Sequence, residues 1–419
     1  MKNRATQVAL TLGIAILAMP VLAQTAEIVT ESTATPVSYV YIQTNPGVMA
    51  YAAAANGQLT LVKGSPFPVS GQMEDIGGKF LISVGTTILH VYQIESNGSV
   101  GKQISQINTA SYGGSECGAT SGQGSVLDHT GKYLYVQLNT LNKCAAWQTY
   151  RVESNGFLQF VGDSEYFTTD ETGGVIQSTV PTISSNDKFA FGAFRVGEST
   201  MTPADKYCVN DYQFCPTIAA FKTNSQGVLE QNSSFTEIDP AAPSGWVYYP
   251  YGDSSPAADP NGHLAVVMTP LNGNGSADAA QLVSYTINAN GSISTTNHLD
   301  PALNYMPYVY ITDYFSPIAL GMSPAGNLLA AAGHLGLQLF HFNGAGEITY
   351  DFDANTPLST VSFDQVKWDG SNHLYALSYG SAQLFVYMVT PTSVAQAPGS
   401  PYTLPKSPYG TRGMVVIPK

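Results

Sequence analysis

A short sequence element recurs seven times along the chain and restricts its possible folds more than any other feature. Each copy places an aromatic residue five positions before a turn residue, with an aliphatic residue two or three positions beyond the turn residue. Repeated units of this kind are typical of architectures in which each unit packs on its neighbours. The aromatic residues of the seven copies are Tyr51, Tyr92, Tyr150, Phe221, Tyr285, Phe340 and Tyr387.

The turn within the repeat is a strong hairpin signal. Asn-Gly stands there in four copies, at residues 56–57, 97–98, 155–156 and 290–291, and two further copies keep the glycine. Asn-Gly between β-rich runs favours a two-residue hairpin turn in which both residues have positive φ. We therefore predict a hairpin of that type in each unit, with the repeat aromatic residues packed between neighbouring units.

A strand rich in β-branched and aromatic residues precedes each hairpin, and a polar turn precedes most of these strands. The runs are 39–42, 80–82, 133–136, 189–191, 264–267, 328–330 and 374–377. Each unit thus supplies an inner strand, a second strand, a third strand with the aromatic residue and an outer strand. Four antiparallel strands of this kind make one blade of a β-propeller.

The two ends of the propeller segment are complementary. The segment begins at a second strand, near Tyr39, and ends with Gly413–Ile417, which has the pattern of an inner strand without a blade. Joining the two completes blade one and removes the open edges of a linear array. The sequence predicts an all-β, seven-bladed β-propeller over residues 38–419. A pair of β-sandwiches is the alternative, but it does not explain seven copies of one element.

The first 23 residues have the features of a secretory signal peptide. Lys2 and Arg4 precede an apolar run from Val8 to Leu17, and small or aliphatic residues follow up to Ala23. A membrane anchor is the alternative, but the run is short for a bilayer and no later run reaches the length of a spanning helix. We predict a signal peptide over residues 1–23, a flexible segment over 24–37, and a secreted or periplasmic protein without membrane insertion.

The charge of the chain limits its partners. The sequence has 16 basic and 29 acidic residues and a formal net charge of −13, which becomes more negative once the signal peptide is removed. Such a balance repels nucleic acid and anionic membranes. Small molecules, glycans and proteins remain as partners, and we expect a monomer.

Four cysteines are present in a chain predicted to enter an oxidising compartment. Pairing is then favoured over metal binding, and three connectivities are formally possible. We predict disulfides Cys117–Cys144 and Cys208–Cys215, because the first pair brackets two strands of one blade and the second closes a short insertion. No Cys-x-x-Cys, His-x-His or His-Glu-x-x-His spacing occurs, so the sequence predicts neither a metal site nor a cofactor.

The chain resembles the seven-bladed lactonase-like propellers, the family of 6-phosphogluconolactonase. The matching features are the strand 39–45 ending in Thr44-Asn45, the Asn-Gly hairpins, and the loops 64–67, 323–326 and 399–402. The resemblance implies the propeller fold. The lactone-opening members carry Pro-Arg-His and Asn-Glu signatures facing the channel. Neither signature is present here: Thr140 follows Asn139, and Thr411 precedes Arg412.

Candidate ligand-binding residues follow from the loops that converge over the channel mouth of a propeller. Glu74 and Asp75 are adjacent carboxylates, and Arg195 and Arg412 fall at predicted channel-side strand ends. Two aromatic loops, 246–251 and 305–310, offer flat faces suited to sugar rings or a protein partner. The full candidate set is Arg412, Glu74, Asp75, Arg195, Trp246, Tyr249, Tyr251, Tyr308 and His334.

Two functions fit these observations. The first is an exported propeller that binds a small molecule, glycan or protein over the channel mouth. The second is a lactonase-like hydrolase or isomerase acting on a sugar lactone or small organic acid. The absent signatures favour the first hypothesis and leave catalytic residues unassigned. We further expect Arg412 to pair with Glu74 and Asp75 at the rim of the channel.

Overall fold

The structure is a computed structural model that describes residues 35–112, 121–139, 145–166, 175–178, 180–197, 214–236, 246–250, 254–272, 280–297, 319–350, 358–405 and 413–419. All of these residues belong to one compact unit, Ala34–Lys419. They form β-strands and a short 3₁₀ helix, Thr109–Tyr112. No helix in the described ranges is long and apolar enough to cross a membrane. The predicted signal peptide and residues 24–34 lie outside the described residues.

The strands form seven antiparallel sheets, here called blades 1–7 and given from the inner to the outer strand. Blade 1 has β31 (Met414–Pro418), β1 (Ser38–Thr44), β2 (Gly47–Ala53) and β3 (Leu59–Leu61). Blade 2 has β4 (Gln72–Ile76), β5 (Phe80–Val84), β6 (Ile88–Ile94) and β7 (Val100–Asn108). Blade 3 has β8 (Ser121–Leu127), β9 (Tyr133–Asn139), β10 (Ala145–Val152) and β11 (Leu158–Tyr166).

The inner side of blades 4 and 5 contains an additional short strand. Blade 4 has β12 (Val175–Ser178) with β13 (Thr182–Ile183), then β14 (Phe189–Gly197), β15 (Phe214–Thr223) and β16 (Leu229–Gln231). Blade 5 has β17 (Trp246–Pro250) with β18 (Ala257–Ala258), then β19 (His263–Asn272), β20 (Gln281–Ile287) and β21 (Ile293–Ser294). Blade 6 has β22 (Ala319–Met322), β23 (Leu328–Gly333), β24 (Gly336–His341) and β25 (Thr349–Tyr350). Blade 7 has β26 (Gln365–Trp368), β27 (His373–Ser378), β28 (Gln383–Thr390), β29 (Ser393–Gln396) and β30 (Tyr402–Thr403).

The predicted closure of the ring is confirmed. Strand β31 pairs antiparallel with β1, with Ser38 opposite Pro418 and Ile42 opposite Met414. Both strands are buried on both faces, as expected for a strand between two packed neighbours. The all-β, seven-bladed prediction is therefore correct, and each predicted second strand lies within β1, β5, β9, β14, β19, β23 or β27.

The hydrophobic core lies between the blades, as seven separate clusters. Along β1, Val40 and Ile42 pack toward blade 7, whereas Tyr39 and Tyr41 pack toward blade 2, because successive side chains of a strand point to opposite faces. The clusters join each blade to the next and also join blade 7 to blade 1. Every repeat aromatic residue lies on a third strand and packs in one of these clusters, which confirms its predicted role.

The hairpin turns differ from the predicted type. In the blade 2 turn the N–H of Gly98 donates to the carbonyl of Glu95, and Gly98 has φ 80°. Asn97 is not among the residues with positive φ; its side-chain Oδ1 instead accepts the N–H of Ser99 at 3.0 Å. The prediction of positive φ at both turn residues is wrong. A four-residue turn closed by a left-handed glycine satisfies the same sequence, because the asparagine caps the turn with its side chain.

The turn glycine also lets neighbouring blades approach. A Cβ on Gly98 would overlap the ring of Tyr39 in blade 1, and a Cβ on Gly291 would lie 2.5 Å from Phe189 in blade 4. The aromatic residue that opens the second strand of one blade therefore rests on the hairpin glycine of the following blade. The absence of a side chain at the turn and the aromatic residue across from it form one complementary contact.

Candidate functional site

A channel runs along the inner strands at the centre of the ring. Its volume is about 480 Å³, and its lining includes residues from every blade. The polar side chains of the lining are those of Gln72, Glu74, Asp75, Ser125, His129, Thr182, Ser255, Gln365 and Lys367. A space of this size is within the range of cavities that hold small molecules. The channel is therefore the candidate ligand site among the described residues.

Glu74 is the central acid of this channel. It is the middle residue of β4, and Ser125 of β8 donates its hydroxyl hydrogen to Glu74 Oε1 at 3.0 Å. Burial raises the pKa of Glu74 to about 7; Asp75 adds to the rise, while Lys367 and the Ser125 hydrogen bond oppose it. The carboxyl group thus exists in both protonation states near neutral pH. It can donate a hydrogen bond in one state and accept in the other.

Lys367 contributes the cation of the channel lining. It lies on β26, the inner strand of blade 7, and its charge lowers the pKa of Glu74 across the channel. The Lys367 side chain is exposed to the channel and forms no ion pair with a described residue. Glu74 and Lys367 therefore present a carboxyl group and an ammonium group to one polar space.

Asp75 borders the channel but has a structural role. It follows Glu74 on β4, so the two side chains point to opposite faces of the strand. Asp75 Oδ1 accepts the N–H of Gly78 at 2.9 Å in the turn that leads into β5. Burial raises the pKa of Asp75 to about 6, and the Gly78 hydrogen bond opposes the rise. The predicted acidic pair thus separates into a channel acid and a turn-stabilising acid.

The position of Glu74 and Asp75 along the chain differs from the prediction. Both lie within the inner strand β4, not in the loop before it. An inner strand with one polar, channel-facing side lacks a simple apolar pattern, which is why the sequence suggested a loop. Gly413 lies beside Gln72 at the start of β4: a Cβ placed on Gly413 would be 3.6 Å from Gln72 Cγ. Arg412 lies outside the described residues, so its pairing with Glu74 and Asp75 stays a prediction.

The remaining candidates are only partly described. Trp246 and Tyr249 lie on β17, the inner strand of blade 5, although the sequence suggested a loop. Arg195 lies on β14; the side chains of all three, and all of Tyr251 and Tyr308, lie outside the described residues. His334 is exposed in the turn between β23 and β24 and does not line the channel.

The cysteines of the predicted disulfides are also described only in part. Cys117, Cys144 and Cys208 lie outside the described residues, and of Cys215 only the backbone position on β15 is described. Both pairings stay predictions. Within the described ranges, no three His, Cys, Asp or Glu side chains are grouped closely enough to hold a metal ion.

Ser125 and Lys367 are channel residues that the sequence reasoning missed. Each stands shortly before a turn-opening aspartate, Asp128 in blade 3 and Asp369 in blade 7. Because those aspartates mark the end of an inner strand, polar residues just before them point to the channel. This spacing is the signal that would have identified both residues.

Comparison with known proteins supports the fold and leaves the activity open. No family model matches the sequence, and no curated protein matches it significantly. Solved structures do match. A putative 6-phosphogluconolactonase from Bacteroides uniformis aligns with a TM-score of 0.57 and 11% identity, covering 91% of this chain and 99% of that one.

Two other structures are similar over the same extent. A putative 6-phosphogluconolactonase from Bacteroides fragilis gives a TM-score of 0.51 at 11% identity, covering 92% of this chain and 99% of that one. The periplasmic gluconolactonase of Pseudomonas aeruginosa gives 0.55 at 13% identity, covering 91% and 99%. At this identity the likeness shows a shared propeller fold and nothing about activity.

Proposed function

We propose that this protein is an exported propeller that binds a small polyhydroxylated ligand, of the sugar or sugar-lactone class, in its central channel. The observation that carries the proposal is Glu74, a carboxyl group with a pKa of about 7 that lines a channel of about 480 Å³ together with Lys367. The predicted signal peptide, and the periplasmic gluconolactonase among the similar structures, support export.

The polarity of the channel supports this ligand class. Sugar hydroxyls both donate and accept hydrogen bonds, and the lining offers amide groups from Gln72 and Gln365 and a hydroxyl group from Thr182. Glu74 can donate or accept according to its protonation state. Lys367 adds a donor for a ring oxygen, a carbonyl or a carboxylate. The combination suits a neutral or singly anionic sugar derivative better than an apolar ligand.

A panel of sugars, sugar acids and lactones tests the proposal. Thermal shift first identifies a ligand, and isothermal titration calorimetry then gives its affinity for the wild type, Glu74→Gln and Lys367→Met. Matched controls are Glu230→Gln and Lys222→Met, which change exposed residues on the outer strand and third strand of blade 4. We expect the two channel variants to weaken binding at least about tenfold.

Two outcomes would contradict the channel site. One is a panel in which no sugar, sugar acid or lactone stabilises the wild type. The other is a ligand whose affinity is the same for Glu74→Gln, Lys367→Met and the two controls. Loss of affinity in the controls alone would likewise place binding outside the channel.

Hydrolysis of a lactone is the second candidate, and the pKa of Glu74 favours it. A carboxylate with a pKa near the working pH is suited to general-base catalysis. It would take a proton from a water molecule as the water oxygen bonds to the lactone carbonyl carbon. The protonated acid would return that proton to the ring oxygen as its bond to the carbonyl carbon breaks. A pH-stat assay separates the two functions, because a binding protein gives stabilisation without acid release.

A further inference from the structure

A second cavity opens under blade 2, away from the residues that line the channel. Its volume is about 660 Å³. Its walls come from three blades: the end of β31 in blade 1, the turns and outer strand of blade 2, and Asn155 in the hairpin of blade 3. The β4–β5 turn, residues 77–79, lies on this wall, whereas Gly413 lies beside the opposite end of β4. The cavity is therefore at the other end of the blades from the start of β31.

Three lysines line this cavity in a protein with a strong excess of acid. They are Lys79, Lys102 and Lys419, and Glu95 is the acidic residue of the lining. The side-chain ammonium groups of Lys79 and Lys102 have no hydrogen-bond or ion-pair partner among the described residues. The local charge is thus positive although the chain carries a net charge of −13.

The third lysine is held in place. Lys419 Nζ donates to the carbonyl of Ser96 at 3.0 Å and lies 4.9 Å from the centre of the Tyr39 ring. A cation over an aromatic face is fixed in position while keeping donors free. Lys419 therefore gives the cavity a positioned cation, and the two unpaired lysines lie on the same lining.

Two features separate this cavity from the equivalent places in other blades. A lysine precedes the aromatic residue of the second strand in blades 2, 3 and 4, as Lys79, Lys132 and Lys188. Lys132 and Lys188 do not line either cavity. Only blade 2 combines this position with Lys102 on the long outer strand β7 and with the end of β31. The cluster is thus not a simple consequence of the repeat.

We propose that this cavity is a binding site for a small dianion with a compact apolar body. The lysines would hold the two negative charges, and the partly buried side chains of Phe80, Ile94 and Ile104 line the apolar side. The site is independent of the channel, because it shares no lining residue with Glu74 and Lys367. A molecule with two carboxylates carries two negative charges, and so does a molecule with one phosphate monoester.

Titration calorimetry with phthalate and phenyl phosphate tests the site, with benzamide as an uncharged comparison. We expect at least one dianion to bind with a dissociation constant below about 1 mM and benzamide not to bind. Lys79→Gln and Lys102→Gln should each weaken that binding about fivefold. Lys188→Gln, at the repeat position of Lys79 in blade 4, and Glu74→Gln should leave it unchanged.

The proposal is overturned if neither dianion binds, or if Lys79→Gln and Lys102→Gln bind as tightly as Lys188→Gln. Equal binding of benzamide would show an apolar cavity without charge recognition and would also overturn it. A loss of dianion binding in Glu74→Gln would assign the dianion to the channel instead. Preference for phthalate or for phenyl phosphate identifies whether carboxylates or a phosphate is recognised.

Discussion

Replacing Asp369 by alanine should destabilise the protein strongly, because this residue joins the last blade to the first. Asp369 is fully buried in the turn between β26 and β27. Its Oδ2 accepts hydrogen bonds from Ser38 Oγ at 2.9 Å, Tyr375 Oη at 2.9 Å and His373 Nδ1 at 2.8 Å. Its Oδ1 accepts two backbone N–H groups of the turn. Ser38 opens β1, so the network crosses the closure between blades 7 and 1.

The magnitude follows from the groups left without a partner. The Ser38 and Tyr375 hydroxyl groups can remain hydrogen-bonded to each other, with their oxygens 3.0 Å apart. His373 Nδ1 and the two turn N–H groups, however, lose their acceptor. Breaking a buried, hydrogen-bonded pair costs about 3–5 kcal/mol. For a domain of this length that is a decrease in Tm of about 4–6 °C. Thermal unfolding followed by circular dichroism measures it.

Asp259→Ala is the matched control, because blade 5 has the same Asp-x-x-x-His turn. His263 Nδ1 lies 2.8 Å from Asp259 Oδ2, but the His263 side chain is 21% exposed against 3% for His373. Water can replace the lost partner there, so we expect a cost of about 1–2 kcal/mol. Equal losses for the two alanine variants would mean that the cross-blade network contributes nothing to stability.

The Asp369–His373 pair should also make the stability of the protein depend on pH. Burial lowers the pKa of His373, but the hydrogen bond and charge of Asp369 outweigh it and raise the pKa. Burial also opposes ionisation of Asp369, yet the His373 hydrogen bonds lower its pKa. The Asp369–His373 pair therefore contributes its full stabilisation of the folded state between about pH 4 and about pH 6.5. It decreases as the pH rises through the folded pKa of His373 or falls through that of Asp369. In His373→Gln, a stability deficit that stays as large above the folded pKa of His373 and below that of Asp369 as it is between about pH 4 and about pH 6.5 would contradict the assignment.

Three further predictions concern the packing, the closure and the channel. Gly98→Ala should cost more than Gly262→Ala by about 1–3 kcal/mol, because both glycines have positive φ but only a Cβ at Gly98 overlaps the ring of Tyr39; equal melting temperatures would contradict this. Deleting residues 413–419 removes the inner strand of blade 1 and should cause aggregation or a large loss of Tm, whereas a monomer melting within about 2 °C of the parent would count against closure. The stability of Glu74→Gln relative to the wild type should rise by about 1–3 kcal/mol from about pH 5 to about pH 8, because the unfolded carboxyl group ionises near its ordinary pKa whereas the folded one keeps its proton until about pH 7. Denaturant unfolding that shows the same difference at both pH values would exclude the raised pKa.

The scaffold could be predicted because its signals are local and repeated. An aromatic residue, a turn glycine and an aliphatic residue lie within one hairpin, and each hairpin contains the contacts that pack it on its neighbour, as Tyr150 shows. The closure was predictable for a related reason. The C-terminal segment has the pattern of an inner strand without a blade. The N-terminal blade lacks an inner strand, so the two are complementary.

The channel and the closure network could not be predicted in the same way. Glu74 and Lys367 line the same channel only because the ring brings blades 2 and 7 to a common centre. The Ser38–Asp369 hydrogen bond joins residues 331 positions apart. No local sequence pattern indicates contacts between residues so far apart along the chain. The inner strands were also misread, at Glu74 and Trp246, because a strand facing a polar channel lacks the alternation of a half-buried strand.

We propose the channel beside Glu74 as the ligand site, and the structure of a complex would locate the ligand. The measurement is a crystal structure of the wild-type protein with the sugar or lactone of highest affinity from the panel. We expect ligand density between β4 and β26, with ligand oxygens within hydrogen-bond distance of the Glu74 carboxyl group and of Lys367 Nζ. Ligand density elsewhere on the protein, with the channel beside Glu74 filled only by water, would contradict it.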